Sequence, residues 1–342
     1  MPLFPALFFL ISALLAPHIS AAQSSAVEFR HLDSLQRVEV YVDGHFFTAY
    51  RYAGQGLKKP ILYPLLTAEG TAITRGYPLD PRPGERIDHP HHMGLWFNHG
   101  DVNDLDFWNN STARPAAQRD HYGHITHEAC LSHAQGVLRV SQAWRRPDST
   151  VLLSEVAEYA FSGGEGYRVI DHRSTLTARE RVMFEDSKEG MFALRVRREL
   201  ELPSEEEVVL LAPDLSPLPK RVSNEGVTGD YLNSEGQQGH EVWGQRARWV
   251  ALSGVVEGEP ITILMMSAPE TPNFPPHWMA RGYGLFAVNP LGSQVYTERK
   301  ETLNLTLAAG EQVTFRHRVV IYSKTKPEVE ALEAAFETFV SH

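Results

Sequence analysis

Apolar and polar positions alternate with a period of two along much of this chain, which is the mark of β-strands that bury one face. In the segment Arg37 to Val42, Val38, Val40 and Val42 share a face. From Met191 to Leu202, Phe192, Leu194, Val196, Leu200 and Leu202 point one way, and Arg195, Arg197, Glu199 and Glu201 point the other. Val313 to Ile321 gathers Val313, Phe315, Val319 and Ile321 on one side, with His317 among them. Comparable runs occupy Val137 to Arg145, Val151 to Phe161, Tyr167 to Thr177 and Ile261 to Met266. Turn pairs such as Asp43-Gly44, Gly163-Gly164, Ser253-Gly254 and Ala309-Gly310 separate them, a spacing that suits antiparallel hairpins. One stretch follows a helical period instead: after Pro327, residues Val329, Leu332, Ala335, Phe336, Phe339 and Val340 form an apolar stripe. The pattern predicts an all-β protein, a large antiparallel β-sandwich with one C-terminal helix packed on a sheet. Residues 66–110 and 214–244 are rich in Gly, Pro, Asn and His, lack periodicity, and read as functional loops.

Composition narrows the partners. Leu3 to Leu15 is nearly continuous apolar sequence, followed by Ser20-Ala21-Ala22, so residues 1–22 read as a signal peptide and 23–342 as a single β-sandwich domain. That reading makes the protein exported, periplasmic or extracellular; a lipid or uncleaved anchor is the alternative, because Met1-Pro2 lacks a basic residue. No segment of the mature chain approaches the roughly 20 apolar residues of a transmembrane helix. The formal net charge of −10 argues against nucleic acid, which requires a basic face. Cys130 is the one cysteine and forms no internal disulfide.

The densest chemistry lies in the first loop. His89, His91, His92, His99, His121, His124, His127 and His133 are eight of the 16 histidines. Asp88-His89-Pro90-His91-His92 runs into Gly94-Leu95-Trp96-Phe97, then Asp101, Asn103 and Trp108. With Gly94 to Asn98 as a strand, His92, Gly94 and Trp96 share one face and Met93, Leu95 and Phe97 the other. Two functional readings arise. Imidazoles serve as acid or base on a sugar whose ring stacks on Trp96 and Trp108 and whose hydroxyls bond Asp101 and Asn103. Alternatively, His89, His91, His92 and His99 ligate a transition metal in a hydrolase, lyase or oxygenase. The bland reading has the histidines satisfying loop backbone and one another.

Three further regions add polar groups. Glu189 precedes a strand carrying Arg195 and Arg197, whose guanidinium groups suit a carboxylate. Asn233-Ser234-Glu235-Gly236 leads to Trp243-Gly244, and Pro275-Pro276-His277-Trp278 leads to Arg281-Gly282-Tyr283-Gly284. Glu298 is a further candidate base.

The strings Asp88 to Phe97, Gly100-Asp101-Val102-Asn103, Ser187-Lys188-Glu189-Gly190, Asn233-Ser234-Glu235-Gly236, Val242-Trp243-Gly244 and Gly282 to Pro290, in that order, resemble a bacterial family labelled "PmoA family" or "methane oxygenase PmoA". The resemblance runs from about Val38 to the terminal helix. It implies a domain of unassigned function with a galactose-mutarotase-like supersandwich fold and a link to sugar oxidoreductases. Methane oxidation itself is not implied, since the chain lacks the multiple spans of a membrane monooxygenase subunit. Asp104 stands where the family has Gly, and Met279 where it has His.

By the mutarotase analogy, a histidine acid pairs with a carboxylate base: His92, with His91 as substitute, and Glu235 or Glu298. Trp96, Asp101, Asn103, Trp108, Glu189, Arg195, Trp243, His277 and Arg281 would bind the substrate. The leading expectation is a carbohydrate-active isomerase, lyase or hydrolase acting on a small-molecule sugar and requiring no cofactor. A non-catalytic carbohydrate-binding envelope protein and the metal-dependent enzyme are the alternatives.

Overall fold

The computed structural model describes residues 25–54 and 56–341, so the predicted signal segment lies outside the described residues. Strands β1 Val27–Leu32, β2 Arg37–Val42, β3 His45–Arg51, β4 Ile61–Leu65 and β5 Leu95–His99 come first. A meander follows: β6 His124–Ala134, β7 Val137–Arg145, β8 Val151–Gly164 and β9 Tyr167–Ala178. Then come β10 Val182–Phe184, β11 Gly190–Arg195, β12 Glu207–Val208, β13 Val222–Ser223, β14 Asp230–Asn233, β15 Trp249–Val256 and β16 Glu259–Ser267. The chain continues with β17 His277–Ala280, β18 Leu285–Asn289, β19 Leu305–Leu307, β20 Gln312–Ser323 and helix α1 Val329–Val340.

These strands make two eight-stranded sheets, ordered β1-β2-β3-β4-β5-β11-β18-β17 and β14-β15-β16-β20-β9-β8-β7-β6. Neighbours within each sheet are antiparallel. The predicted alternation sets what lies between them. Val38, Val40 and Val42, Phe97, Phe192 and Leu194, Phe286 and Val288 from the first sheet join Val140, Trp144, Leu153, Ile170, Ile263, Phe315 and Ile321 from the second in one hydrophobic cluster. Each such side chain contributes about 1.5–3 kcal/mol when fully buried. Helix α1 covers the other face of the second sheet: Leu332, Phe336 and Phe339 pack on Trp249, Leu264, Met266 and Val320. The outer face of the first sheet carries a separate cluster, and the candidate site is built there.

Two departures from the sequence pattern have physical causes. The alternation from 191 to 202 is one strand only to Arg195. Val196 N then turns to Gly284 O and Arg197 N to Ile73 O, after which Arg198–Leu200 is a 3-10 turn. Strand β6 shows no period because register shifts between His127 and Ala129 and between Cys130 and Ser132 interrupt its pairing with β7. No described helix is long and apolar enough to cross a membrane.

Candidate functional site

Register builds the floor of the site. Trp96, Ala193, Ala287 and Met279 are cross-strand neighbours on β5, β11, β18 and β17, and they point away from the inter-sheet core. Two adjacent alanines between a tryptophan and a methionine make a shallow seat. On one side of this row Arg195 pairs with Leu285, whose carbonyl accepts from Arg281 N; on the other, His277 pairs with Asn289. Met93, Trp108 and Tyr283 pack over the floor, leaving both alanines buried.

Gly94 brings the histidine loop onto this face. Its φ is +60°, and a Cβ there would meet Leu62 O at 2.3 Å, so no other residue fits without displacement. The positive φ also breaks the alternation: Trp96 points outward and Leu95 and Phe97 inward as predicted, but Met93 joins the Trp96 side. Arginines pin the loop. Arg75 donates to the carbonyls of Asp88, His89 and His92 and to Asp88 Oδ1 at 2.6 Å, and Arg195 donates to the same oxygen at 2.7 Å. Burial pushes the Asp88 carboxyl up, but Arg195, His89 and Arg75 outweigh it and hold it well below the usual carboxylate range. Glu201 completes the network as a counter-charge, its carboxylate 3.0 Å from Arg86 Nε and 4.0 Å from Arg195.

His92 sits inside this frame. Its ring stacks between His89 and Trp96, at centroid distances of 4.8 and 5.4 Å, with Trp108 edge-on at 5.7 Å. Arg195 Nη1 lies 3.3 Å from His92 Nδ1. A guanidinium only donates, so Nδ1 is the acceptor and Nε2 carries the proton. That Nε2–H is buried and has no hydrogen-bond partner among the described residues. Burial, then His91 and Arg195, push the imidazole well below its ordinary range, so it is neutral at pH 7. Losing a proton from neutral imidazole is unfavourable, so this Nε2–H suits hydrogen-bond donation rather than the acid role expected of His92. His91, lowered to about 2 by burial and by Lys59, is likewise neutral, with Nε2 unpartnered.

The opposite wall holds the reverse tautomer. His277 Nδ1 lies 2.7 Å from the Gly244 carbonyl, which only accepts; Nδ1 therefore donates, and Nε2 keeps its lone pair, buried and unpartnered. The ring stacks on Tyr296 at 4.9 Å. Arg281 lies over Trp243 at 4.6 Å, and both Arg281 Nε and Trp243 Nε1 are buried donors without acceptors. Tyr283 joins the walls. It stacks on His89 at 5.0 Å beneath the Arg195 guanidinium, and its hydroxyl, raised by burial, is lowered in turn by Arg195 and Arg281. Glu189 lies at the edge, accepting from Asn109 at 2.7 Å and from Lys188 at 3.1 Å.

Thus His89, His91, His92, Trp96, Trp108, Arg195, Trp243, His277 and Arg281 gather on or beside one sheet face, with Glu189 at its margin. Trp96 and Trp108 are each 1% exposed and form its packed base, not open stacking walls. Other expected residues lie elsewhere. Asn103 holds Arg181 O and Met183 N and so ties its loop to β10, while Asp101 Oδ1 accepts from Asp104 N within that loop. Glu235 is an exposed turn residue bonded to Ser234, and Glu298 is an exposed partner of Lys300, so neither carboxylate reaches His92. Lys59, Tyr283 and Tyr296 were missed. Lys59 is buried under the Trp96 ring, donates to His91 O at 2.9 Å and is lowered to about 7 by burial. Only Tyr283, between two glycines, carried a sequence signal.

The metal set fails on geometry. Among the described residues no three of His, Cys, Asp or Glu are placed to hold one ion. His89 and His92 lie face to face at 4°, so their in-plane lone pairs do not converge, and Asp88 is taken by arginines. His99 points to the core face, with Nε2 on Glu185 O at 2.8 Å and its ring against Phe184.

Fold and site together define an antiparallel β-sandwich with an enclosed, donor-rich cluster on the outer face of one sheet. The chain belongs to the "Family of unknown function (DUF6807)", whose profile matches residues 37–337. That match gives the family and leaves the PmoA label unsupported. No curated protein matches the chain. Among solved structures it is similar to a GH36 alpha-galactosidase of Geobacillus stearothermophilus, at 13% identity and TM-score 0.37 over 87% of this chain and 41% of that one. The chain thus spans about two fifths of that galactosidase. It is also similar to a putative aldose 1-epimerase of Escherichia coli K12, at 12% identity and TM-score 0.34, covering 87% and 99%. A galactose mutarotase-like protein of Clostridium acetobutylicum follows at 10% identity and TM-score 0.33, covering 88% and 99%.

Proposed function

We propose that this chain is a carbohydrate-active enzyme that binds a neutral sugar or glycoside on the outer face of the first sheet and moves a proton on it. One observation carries the reading: buried hydrogen-bonding atoms of His91, His92, Trp243, His277 and Arg281 have no partner among the described residues. Leaving such atoms unpaired costs about 1–3 kcal/mol each, and a ligand rich in hydroxyls relieves that cost. Tryptophan and tyrosine rings beside donors and one acceptor match a sugar ring, apolar on its faces and polar on its rim. In this reading His277 Nε2 is the base. His92 Nε2–H polarises a sugar oxygen, and Trp243 and Arg281 bind hydroxyls.

A second reading, a sugar-binding protein without turnover, is favoured by the absence of any carboxylate among these unpartnered groups. Ligand-observed NMR of aldoses, ketoses and methyl glycosides, followed over time, separates the two. Binding with conversion that His277→Gln abolishes supports the enzyme. Binding without conversion supports the second reading. No binding by any of these sugars refutes both.

A further inference from the structure

A cavity of about 670 Å³ opens between the β3–β4 connection, the loop before β6 and the start of β6. Its lining includes Tyr52, Lys58, Ser111, Arg119, Tyr122 and His124, and no carboxylate among the described residues. The outer-face site does not use it, and neighbouring lysines face the two regions. Lys59 is buried against Trp96 and His91 O, while Lys58, whose carbonyl accepts from Ile125 N, lines this cavity. In a chain of formal charge −10, most basic side chains would be expected to find acidic partners. Among the described residues neither Lys58 nor Arg119 has an ion pair. Glu128, close in sequence, is held by Arg145 and Thr126. Asp33 lies near enough to Tyr52 to raise its hydroxyl after burial does so, yet does not line the cavity. The positive field reaches His124, which burial and then Lys58 and Arg145 make less basic.

We infer that this cavity is a second binding site and that its ligand is a small anion bearing a carboxylate or phosphate, held by Lys58 and Arg119. Two unpaired cations in a partly enclosed cleft concentrate anions, and guanidinium and ammonium groups both donate to carboxylate or phosphate oxygens. Tyr52, tilted by 32° against His127 at 4.3 Å, and Tyr122 supply aromatic walls for a ring attached to the anion. The Ser111 hydroxyl adds a donor.

The test is titration of the full chain at low salt with D-glucuronate, inorganic phosphate and neutral D-glucose, followed by calorimetry and by amide shifts of residues 52–58 and 119–127. The expected result is that at least one anion binds there and that the Lys58→Gln, Arg119→Gln double variant weakens it by roughly tenfold or more. Glucuronate alone would identify a sugar acid, and phosphate alone a phosphoryl group. A melting temperature equal to wild type shows that the double variant folds. Failure of both anions to bind, equal shifts with glucose, or unchanged affinity in the folded double variant overturns the inference.

Discussion

His172 and His317 lie opposite each other on β9 and β20, fully buried in the inter-sheet core, and none of their four ring nitrogens has a partner among the described residues. Their rings stack on Phe192 at 4.6 and 5.1 Å. Burial lowers His172 from its ordinary 6.5 to about 3. Below pH 6.5 the unfolded chain takes up this proton and the native protein does not, so stability falls as pH falls through that window. Between about pH 8 and about pH 5.5 the loss from this residue is about 1.4 kcal/mol. His91, His92 and His99 act in the same direction. Glu155, raised to about 7 by burial, acts in the opposite one, its stabilisation fading as pH rises from 4.5. A single pH profile therefore mixes signs, whereas the difference between wild type and His172→Leu isolates one group. Leucine keeps an apolar side chain against Phe192 and has no proton to gain. Urea denaturation at both pH values should show the variant losing about 1.4 kcal/mol less than wild type on acidification. Equal losses would mean that the native imidazole protonates freely and that the core is wetter than the structure has it.

Three other outcomes follow from the loop and the site. Asp88→Asn leaves Arg75 and Arg195, both essentially unexposed, short of a counter-charge, and should cost about 3 kcal/mol in urea unfolding; a loss below about 1 kcal/mol would contradict the network. Gly94→Ala forces a Cβ against Leu62 O in a left-handed backbone and should cost at least about 2 kcal/mol, seen as a lower melting temperature; an unchanged melt would refute that geometry. Nitrogen-15 imidazole spectra at pH 7, assigned with His92→Gln and His277→Gln, should find the first ring as the Nε2–H tautomer and the second as Nδ1–H; a charged ring or the reverse tautomers would remove the donor and base assignments.

Alternation made the sandwich readable, because strands with one face on a core must repeat every second residue, and the stripe from Val329 to Val340 gave the helix for the corresponding reason. It failed where register slips, as in β6, and at β17 and β18, which are buried on both faces and so lack the polar half of the signal. Site chemistry was legible where it was local. Asp88 to Trp96 is one contiguous string, and its histidines do collect beside Trp96 and Trp108. Pairings distant in sequence were not legible: nothing in the chain says that Asp88 meets Arg195, or that Arg281 lies over Trp243. Glu235 and Glu298 show the limit for a candidate base: a carboxylate in a polar turn looks the same in sequence whether it faces a ligand or water. Lys59 was hidden by its neighbours, since Leu57-Lys58-Lys59-Pro60 reads as surface sequence although one lysine is 2% exposed.

The most direct test of the outer-face assignment is a sugar-binding screen by ligand-observed NMR, run on wild type and on folded Trp243→Ala and Arg281→Ala variants. At least one neutral sugar or glycoside should bind wild type, and each variant should weaken that binding by roughly tenfold. A sugar that binds all three proteins equally, or no sugar that binds wild type, would contradict it.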